Sequence, residues 1–138
     1  MKSKEHIPLF DLRKIIEVKN LDSISVLKID VEGAELEVLN RFNSLIKEQH
    51  PIILIEILPS YNDENTFRIE RQDKIQAMLK DAGYSMFRVI KDTDVLLDLK
   101  EIQDINIHSY MNNCEYVMVP GTKKNKFEYS CQQRLKRQ

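Results

Sequence analysis

The stretch that decides the fold is ISVLKIDVEGAELEVL, residues 24–39. Its first six residues, 24–29, form a short run rich in β-branched side chains, which favours a β-strand. From Ala34 the apolar residues recur at helical spacing as far as about Gln49, and this spacing predicts an amphipathic helix. The acidic turn DVEG, residues 30–33, joins the two elements. The sequence therefore predicts a strand, a turn and a helix in direct succession.

The rest of the chain continues this alternation. Residues 52–58, which follow Pro51, are apolar almost without interruption, and such a run is typical of a strand buried on both faces. Helical periodicity over residues 67–82 ends at Gly83, and glycine commonly follows the last turn of a helix. The other predicted elements are a short helix over 11–19, strands over 84–90 and 115–119, and a segment over 95–99 that could be a short strand.

This order of elements predicts an α/β fold with helices packed on a layered sheet. Right-handed crossovers place strands 24–29, 52–58 and 84–90 in one sheet, with the first two as parallel neighbours. The last strand follows a long connection instead of a helix. We therefore expect it to return antiparallel.

Glycine is scarce in this chain of 138 residues, which has three: Gly33, Gly83 and Gly121. They are spaced too widely to form one loop. A glycine-rich loop is the usual means of holding a nucleotide or nucleoside cofactor, because without a Cβ atom the backbone approaches the ligand closely. We therefore do not expect these residues to hold such a cofactor by themselves.

The apolar residues are distributed as in a protein without a membrane span. The longest apolar run, residues 52–55, is far shorter than the roughly 20 residues that a spanning helix needs. The polar start, residues 1–6, lacks the apolar stretch of a secretory signal. We therefore expect a cytoplasmic location.

Charge is unevenly distributed along the chain, whose net charge is −1. From Lys123 onward six basic residues stand against Glu128 alone, a balance of +5, which leaves −6 for residues 1–122. The basic segment is short and carries few aromatic residues, so a solvated terminus is favoured over a nucleic-acid-binding arm. We expect one domain over residues 1–122, a flexible basic tail over 123–138, and no nucleic-acid partner.

Three carboxylates lie where ligands bind in open parallel sheets, beyond the carboxyl ends of strands. Asp30 and Glu32 follow the first strand directly, and Glu56 interrupts the second strand near its carboxyl end. An unpaired carboxylate within a buried strand costs on the order of several kcal/mol. Glu56 therefore needs a partner.

A structural role is the other interpretation of the same carboxylates. Asp30, Glu32 and Glu35 lie at the start of the predicted helix, where they could cap free amides and interact favourably with the helix dipole. Glu56 could instead hold the sheet to a loop through an ion pair. Its candidate partners in that case are Lys28, Arg68 and Arg71. The residue types alone leave both interpretations open.

The stretch KIDVEGAE, residues 28–35, resembles the signature of the FkbM-type S-adenosylmethionine-dependent methyltransferases, and the likeness extends over roughly residues 7–90. The resemblance implies a partial Rossmann-like class I methyltransferase sheet, with parallel strands, helices on both faces and an antiparallel terminal strand. It further implies transfer of a methyl group from S-adenosylmethionine to a hydroxyl of a small-molecule or glycan acceptor.

The resemblance also implies catalytic roles for Asp30, Glu32 and Glu56. Asp30 would be a cofactor-binding residue, next to the methionine end of S-adenosylmethionine and the acceptor hydroxyl. Glu32 and Glu56 would orient the acceptor, accept its proton, or join Asp30 as ligands of a hard cation such as Mg²⁺.

One part of the family pattern has no counterpart in the sequence. Members begin with a strand, a glycine-rich turn and an acidic residue that hold the cofactor, and nothing before Asp11 resembles these features. The chain therefore resembles the carboxyl-terminal half of the domain. We expect a missing amino-terminal half, or a homo-oligomer partner, at the exposed edge of the sheet. The alternative is a non-enzymatic α/β association module, degenerate from the family.

Overall fold

The computed structural model describes residues 23–136. The elements in this range are, in chain order, β1 (Val26–Ile29), α1 (Glu35–Gln49), β2 (Ile52–Glu56), α2 (Thr66–Asp81), β3 (Tyr84–Asp92), β4 (Val95–Ile102), β5 (Glu115–Pro120) and α3 (Lys124–Lys136). Short 3₁₀ turns, Met111–Asn113 and Gly121–Lys123, flank β5. The helix predicted over 11–19 lies outside the described residues.

The strands of the described range form one sheet in the order β1-β2-β5-β3-β4. β1 and β2 are parallel neighbours, as predicted, with Val26 opposite Ile52 and Ile29 opposite Ile55. β5 returns antiparallel, also as predicted, and pairs with both β2 and β3. It thereby separates two strands that run in the same direction. The segment that the sequence left open, 95–99, belongs to an eight-residue strand, β4, antiparallel to β3.

One face of the sheet, the closed face, is covered by α1 and α2. Strand and helix side chains form a continuous core there, and its members Leu39, Ile53, Leu79 and Met118 are each 0% exposed. Because successive strand residues alternate between faces, Ile53 and Ile55 both point into this core. Full burial of one such side chain contributes roughly 1.5–3 kcal/mol. The closed face therefore supplies a large share of the stability of this part of the chain.

The opposite face, to which Leu54, Phe87 and Val117 belong, is the open face. α3 covers part of it by placing Phe127 edge-on against Phe87, with ring centroids 5.2 Å apart. Over β1 and β2 the same face stays accessible, since Val26 is 54% exposed and Leu54 is 37% exposed. The prediction that the apolar run 52–58 is buried on both faces is therefore wrong on this face.

The basic segment after Lys123 is helical over most of its length. Residues 124–136 form α3, which begins after Pro120 ends β5 and the short 3₁₀ turn reverses the chain. Phe127 gives this helix an apolar anchor on the sheet, and the Lys124 ammonium lies 2.7 Å from the Glu101 carboxylate of β4. These contacts join the helix to the sheet. The flexibility of the segment 123–138 and a domain boundary at residue 122 remain predictions.

The architecture is α/β, with a mixed five-stranded sheet and helices on both faces in the described range. The predicted fold class is confirmed. The parallel pair β1 and β2 brings two strand ends, and the residues that follow them, to one edge of the sheet. That edge positions the candidate site.

Candidate active site

Asp30 and Glu56 meet at the carboxyl ends of the parallel pair. Ile29 is in register with Ile55, so the next residue along each strand lies at the same edge of the sheet. Both carboxylates line a cleft of about 320 Å³ on the open face. The cleft residues that matter below are Lys28, Asp30, Leu54, Glu56, Glu115 and Val117. The structure thus combines acidic and apolar groups at the place that the sequence indicated.

Glu32 lies at the rim of this site instead of in its lining. It follows Asp30 by two residues, is exposed, and has a φ angle of 40°, in the left-handed region that non-glycine residues rarely adopt. Its charge nevertheless acts on the site, because it contributes to the raised pKa of Glu56. The three predicted site residues are therefore close enough to interact electrostatically, although they are not equally placed for contact with a ligand.

The pKa of Glu56 is raised above its usual value. Partial burial is the largest cause, followed by the negative charges of Asp30, Glu115 and Glu32, while Lys91 acts in the opposite direction. Each of these causes disfavours the charged carboxylate except the last. A carboxyl group with a raised pKa holds a proton more strongly than an ordinary glutamate. Glu56 is thus suited to accept a proton during a reaction.

The predicted ion-pair partners of Glu56 are engaged elsewhere or remain at a distance. The Arg68 guanidinium donates to the Pro59 carbonyl oxygen at 3.1 Å, and Arg71 binds Gly33 and Glu37. Lys28 lines the same cleft without an ion pair to Glu56. The expectation that Glu56 needs a partner is wrong within the described residues. The physical reason is that β2 is open to water on this side, so the carboxylate is only partly desolvated.

Sequence reasoning missed two residues of the site, Glu115 and Lys91. Glu115, the first residue of β5, stands directly opposite Glu56 in the antiparallel register. The Lys91 Nζ atom of β3 lies 2.6 Å from Glu115 Oε1, which balances one of the two opposed carboxylates. Like charges directly opposite each other are unfavourable, so this ion pair stabilises the arrangement. No local sequence pattern predicts either residue as part of the site, because their proximity to Glu56 depends on the register of three strands.

The structural interpretation of the acidic turn holds for one residue. Glu35, only 6% exposed, accepts a hydrogen bond from the Gly33 N–H through Oε1 at 2.9 Å, just before the first turn of α1. Glu35 and Glu37 are the acidic residues of that first turn, where negative charge interacts favourably with the helix dipole. Among the described residues, neither Asp30 nor Glu32 makes such a capping contact with α1. They therefore remain available for other roles.

The Mg²⁺ hypothesis gains no support from the donor set. Within residues 23–136 the structure contains no group of three or more histidine, cysteine, aspartate or glutamate side chains placed to hold a metal ion. The opposed carboxylates Glu56 and Glu115 also share the site with Lys91, a cation that competes with a metal for the same oxygens.

In the same described range, none of the helices has the length and hydropathy of a membrane-spanning segment.

The fold and the site together define a class of protein. An α/β sheet with a parallel pair, an antiparallel strand beside it, helices on both faces and carboxylates beyond the parallel strand ends is compatible with a Rossmann-like methyltransferase fold. Comparison with protein-family models agrees, since the methyltransferase FkbM domain model matches residues 3–86. The match covers more than half of the chain, so the chain belongs to the FkbM methyltransferase family. No curated protein and no solved structure matches it.

Proposed function

We propose that this chain takes part in methyl transfer from S-adenosylmethionine to a hydroxyl oxygen of a small-molecule or glycan acceptor. The observation that carries the proposal is that the family match includes the acidic turn, and that Asp30 and Glu56 line one cleft at the strand ends. When bound, S-adenosylmethionine supplies a methyl group on a positively charged sulfur, and this sulfur is the leaving group when an oxygen nucleophile attacks the methyl carbon in line. The residues of the chain position the reactants and accept the proton of the hydroxyl.

The charges of the cleft suit such a ligand. S-adenosylmethionine carries positive charge on its sulfonium and ammonium groups, and Asp30 and Glu56 present carboxylates to the cleft, where Lys91 balances the charge of Glu115. Attraction between opposite charges in a partly desolvated site is stronger than in bulk water. We assign Asp30 to the cofactor's methionine end and to alignment of the acceptor hydroxyl, where positioning is the main requirement of the reaction.

Glu56 is the proposed general base. As the acceptor oxygen forms its bond to the methyl carbon and the carbon–sulfur bond breaks, the hydroxyl proton passes to the Glu56 carboxylate. Its raised pKa favours this transfer. Glu32, at the rim, is proposed to orient the acceptor. The products are a methylated acceptor and S-adenosylhomocysteine.

The test uses tritium-labelled S-adenosylmethionine with a panel of monosaccharides, short glycans and small alcohols. If the wild-type chain transfers label, Glu56→Gln is expected to lower the rate by about 10²–10⁴-fold, the usual contribution of a general base. Asp30→Asn is expected to weaken cofactor binding as well. Glu70→Gln, an exposed change on α2, serves as the control of matched charge and is expected to retain the wild-type rate. Transfer that is unaffected by Glu56→Gln contradicts the role of Glu56.

We also propose that a further polypeptide segment or a second copy completes the cofactor site. Support comes from the wide spacing of the three glycines and from the position of β1 at the edge of the described sheet. Calorimetric titration with S-adenosylmethionine at chain concentrations that span any self-association tests this point. Tight binding that does not depend on chain concentration shows that the chain needs no second copy. Tight binding by a strictly monomeric chain rules out both forms of completion.

A second candidate function is association without catalysis, favoured by the exposed apolar surface beside β1. Val26 is 54% exposed and shares the open face with Leu54, at a strand edge that can pair with another chain. Sedimentation velocity is expected to show an oligomer that Val26→Lys disrupts. Val95→Lys is the matched control, because Val95 is 56% exposed on β4, the strand at the other edge. A chain that stays monomeric at all concentrations contradicts this function.

A further inference from the structure

The backbone of Gly33, in the turn between β1 and α1, is held through both of its polar groups. Its N–H donates to Glu35 Oε1 at 2.9 Å, and its carbonyl oxygen accepts from Arg71 Nη2 at 2.8 Å. Glu35 belongs to α1. Arg71 belongs to α2 and lies 38 residues after Gly33 in the sequence. The turn that carries Asp30 and Glu32 is therefore fixed by both helices of the closed face.

The conformation of the turn explains why it needs such support. Glu32 has a φ angle of 40° and Gly33 one of 103°, so two successive residues lie outside the usual backbone regions. A residue with a side chain is strained in the left-handed region, because its Cβ atom comes too close to a carbonyl oxygen. Hydrogen bonds to charged groups are stronger than those between neutral groups, so the two bonds to Gly33 help to offset the strain at Glu32.

Arg71 is itself oriented by a second contact. Its Nη2 atom also forms an ion pair with the Glu37 carboxylate of α1, and the guanidinium carbon lies 5.3 Å from the centre of the Phe67 ring. The Arg71 side chain is 20% exposed, whereas that of Glu37 is 51% exposed. Glu37 therefore contacts the guanidinium of Arg71 on its solvent-exposed side. On its inner side the guanidinium contacts the Gly33 carbonyl oxygen of the turn.

We propose that Arg71 and Glu35 are positioning residues, which clamp the two peptide groups on either side of the Gly33 Cα atom and thereby hold Asp30 and Glu32 at the carboxyl end of β1. The proposal rests on the proposed methyl transfer, since it concerns the placement of the residues assigned to that reaction. It gives the last glutamate of the stretch KIDVEGAE a mechanical role distinct from that of Asp30. It also adds a residue, Arg71, that lies outside this stretch.

The first experiment compares Arg71→Met with Glu37→Gln. Both variants lose the ion pair, but Glu37→Gln keeps a side-chain oxygen that can accept a hydrogen bond from Arg71. Only Arg71→Met loses the donor to Gly33, so the difference between the variants isolates the clamp. The Gly33 carbonyl ¹³C chemical shift, measured by NMR, is expected to move in Arg71→Met and to stay near the wild-type value in Glu37→Gln. The labelled-methyl assay is expected to show a loss of about 10–100-fold in Arg71→Met, the effect of small misplacement at a reacting centre, and little loss in Glu37→Gln.

The second experiment tests Glu35 through hydrogen exchange of the Gly33 amide. Glu35→Gln retains an acceptor oxygen and is expected to keep the amide protected, whereas Glu35→Ala removes the acceptor and is expected to speed exchange about 10-fold or more. Because Glu35 is buried, Glu35→Ala is also expected to lower the free energy of unfolding. Comparison with the free energy of unfolding of Glu35→Gln, which keeps the acceptor, separates this general loss of stability from the loss of the hydrogen bond. Equal exchange in wild type and a folded Glu35→Ala overturns the role of Glu35.

Failure of the clamp and failure of the proposed function give different results. If the wild-type chain transfers methyl groups and Arg71→Met is as active as Glu37→Gln, the positioning role is overturned while the function stands. If the wild-type chain binds S-adenosylmethionine but transfers no methyl group to any acceptor, the function fails. The Gly33 carbonyl shift then decides the clamp alone: a change confined to Arg71→Met supports it, and no change overturns it.

Discussion

The closed and open faces of the sheet use the same strands but bury their side chains to different degrees. On the closed face α1 and α2 cover the strands, and Ile53 is 0% exposed. On the open face α3 covers part of β5 and β3, and Leu54, the next residue of the same strand, is 37% exposed. Stability is therefore concentrated on one face. The other face keeps a cleft where carboxylates can lie together, because water still reaches them and their desolvation is partial.

A pair of substitutions at adjacent residues of β2 tests the difference between the two faces most directly. Ile53→Ala leaves a cavity in the closed core and is expected to lower the free energy of unfolding by about 2–5 kcal/mol. Leu54→Ala removes a side chain that is partly in water already, so we expect a loss of about 1 kcal/mol or less. Urea denaturation followed by circular dichroism measures both. Equal losses would show that the open face is covered in solution.

The packing of α3 gives the next largest effect. Phe127→Ala removes the edge-on contact with Phe87 and is expected to cost about 1–2 kcal/mol, less than a fully buried phenylalanine, with loss of helical signal if α3 detaches. Tyr129→Ala is the control on the same helix, since Tyr129 is 65% exposed, and its expected effect lies within about 0.5 kcal/mol. A Phe127→Ala variant as stable as Tyr129→Ala would restore the flexible-tail interpretation.

The smallest expected effects concern pH and have opposite signs in the two regions. The pKa of Glu56, in the cleft, is raised by burial and by the neighbouring carboxylates. The folded protein therefore binds this proton more strongly than the unfolded chain does, and stability falls as pH rises through the pKa of Glu56. Glu56→Gln is expected to raise the free energy of unfolding at pH 7 by less than about 1 kcal/mol, and to have no effect well below pH 4.5, the ordinary value.

Glu37, on α1, is the matched case with the reverse sign. The hydrogen bond from Arg71 lowers the pKa of Glu37, so its contribution to stability is present above the ordinary value and is lost as pH falls through the lowered one. Glu37→Gln is expected to lower the free energy of unfolding at pH 7 by about 0.2–1 kcal/mol, as for other exposed ion pairs. Urea denaturation of both variants at pH 3 and pH 7 checks the signs. Two changes of the same sign at pH 7 would refute the electrostatic account.

Local patterns were sufficient for most of the elements. The β-branched run before Asp30 and the helical spacing after Ala34 predicted β1 and α1, and the structure agrees within about two residues at most boundaries. The parallel pairing of β1 with β2 followed from the crossover between them. The match to the family model confirmed the family resemblance. The sequence could reveal this resemblance because the signature is a contiguous stretch.

Coverage of the sheet was harder to predict. An apolar run such as residues 52–58 shows which residues prefer burial, but not whether a helix is present to cover each face. Phe127 lies in a segment of basic composition, and nothing local predicts that it will reach Phe87 on β3. The exposure of Leu54 and the contact of α3 with the sheet are therefore both consequences of how distant elements pack.

The sequence by itself determined the α/β class and the family, and it predicted Asp30, Glu32 and Glu56 as site residues, since each of these inferences depends on neighbours along the chain. The tertiary structure decided which groups surround those carboxylates. Glu115 stands opposite Glu56 because β5 inserts between β2 and β3, and Arg71 reaches Gly33 because α2 packs beside the turn. These contacts join residues between 38 and 59 positions apart. Strand register and helix packing set such contacts through the whole core, so no local pattern can encode them.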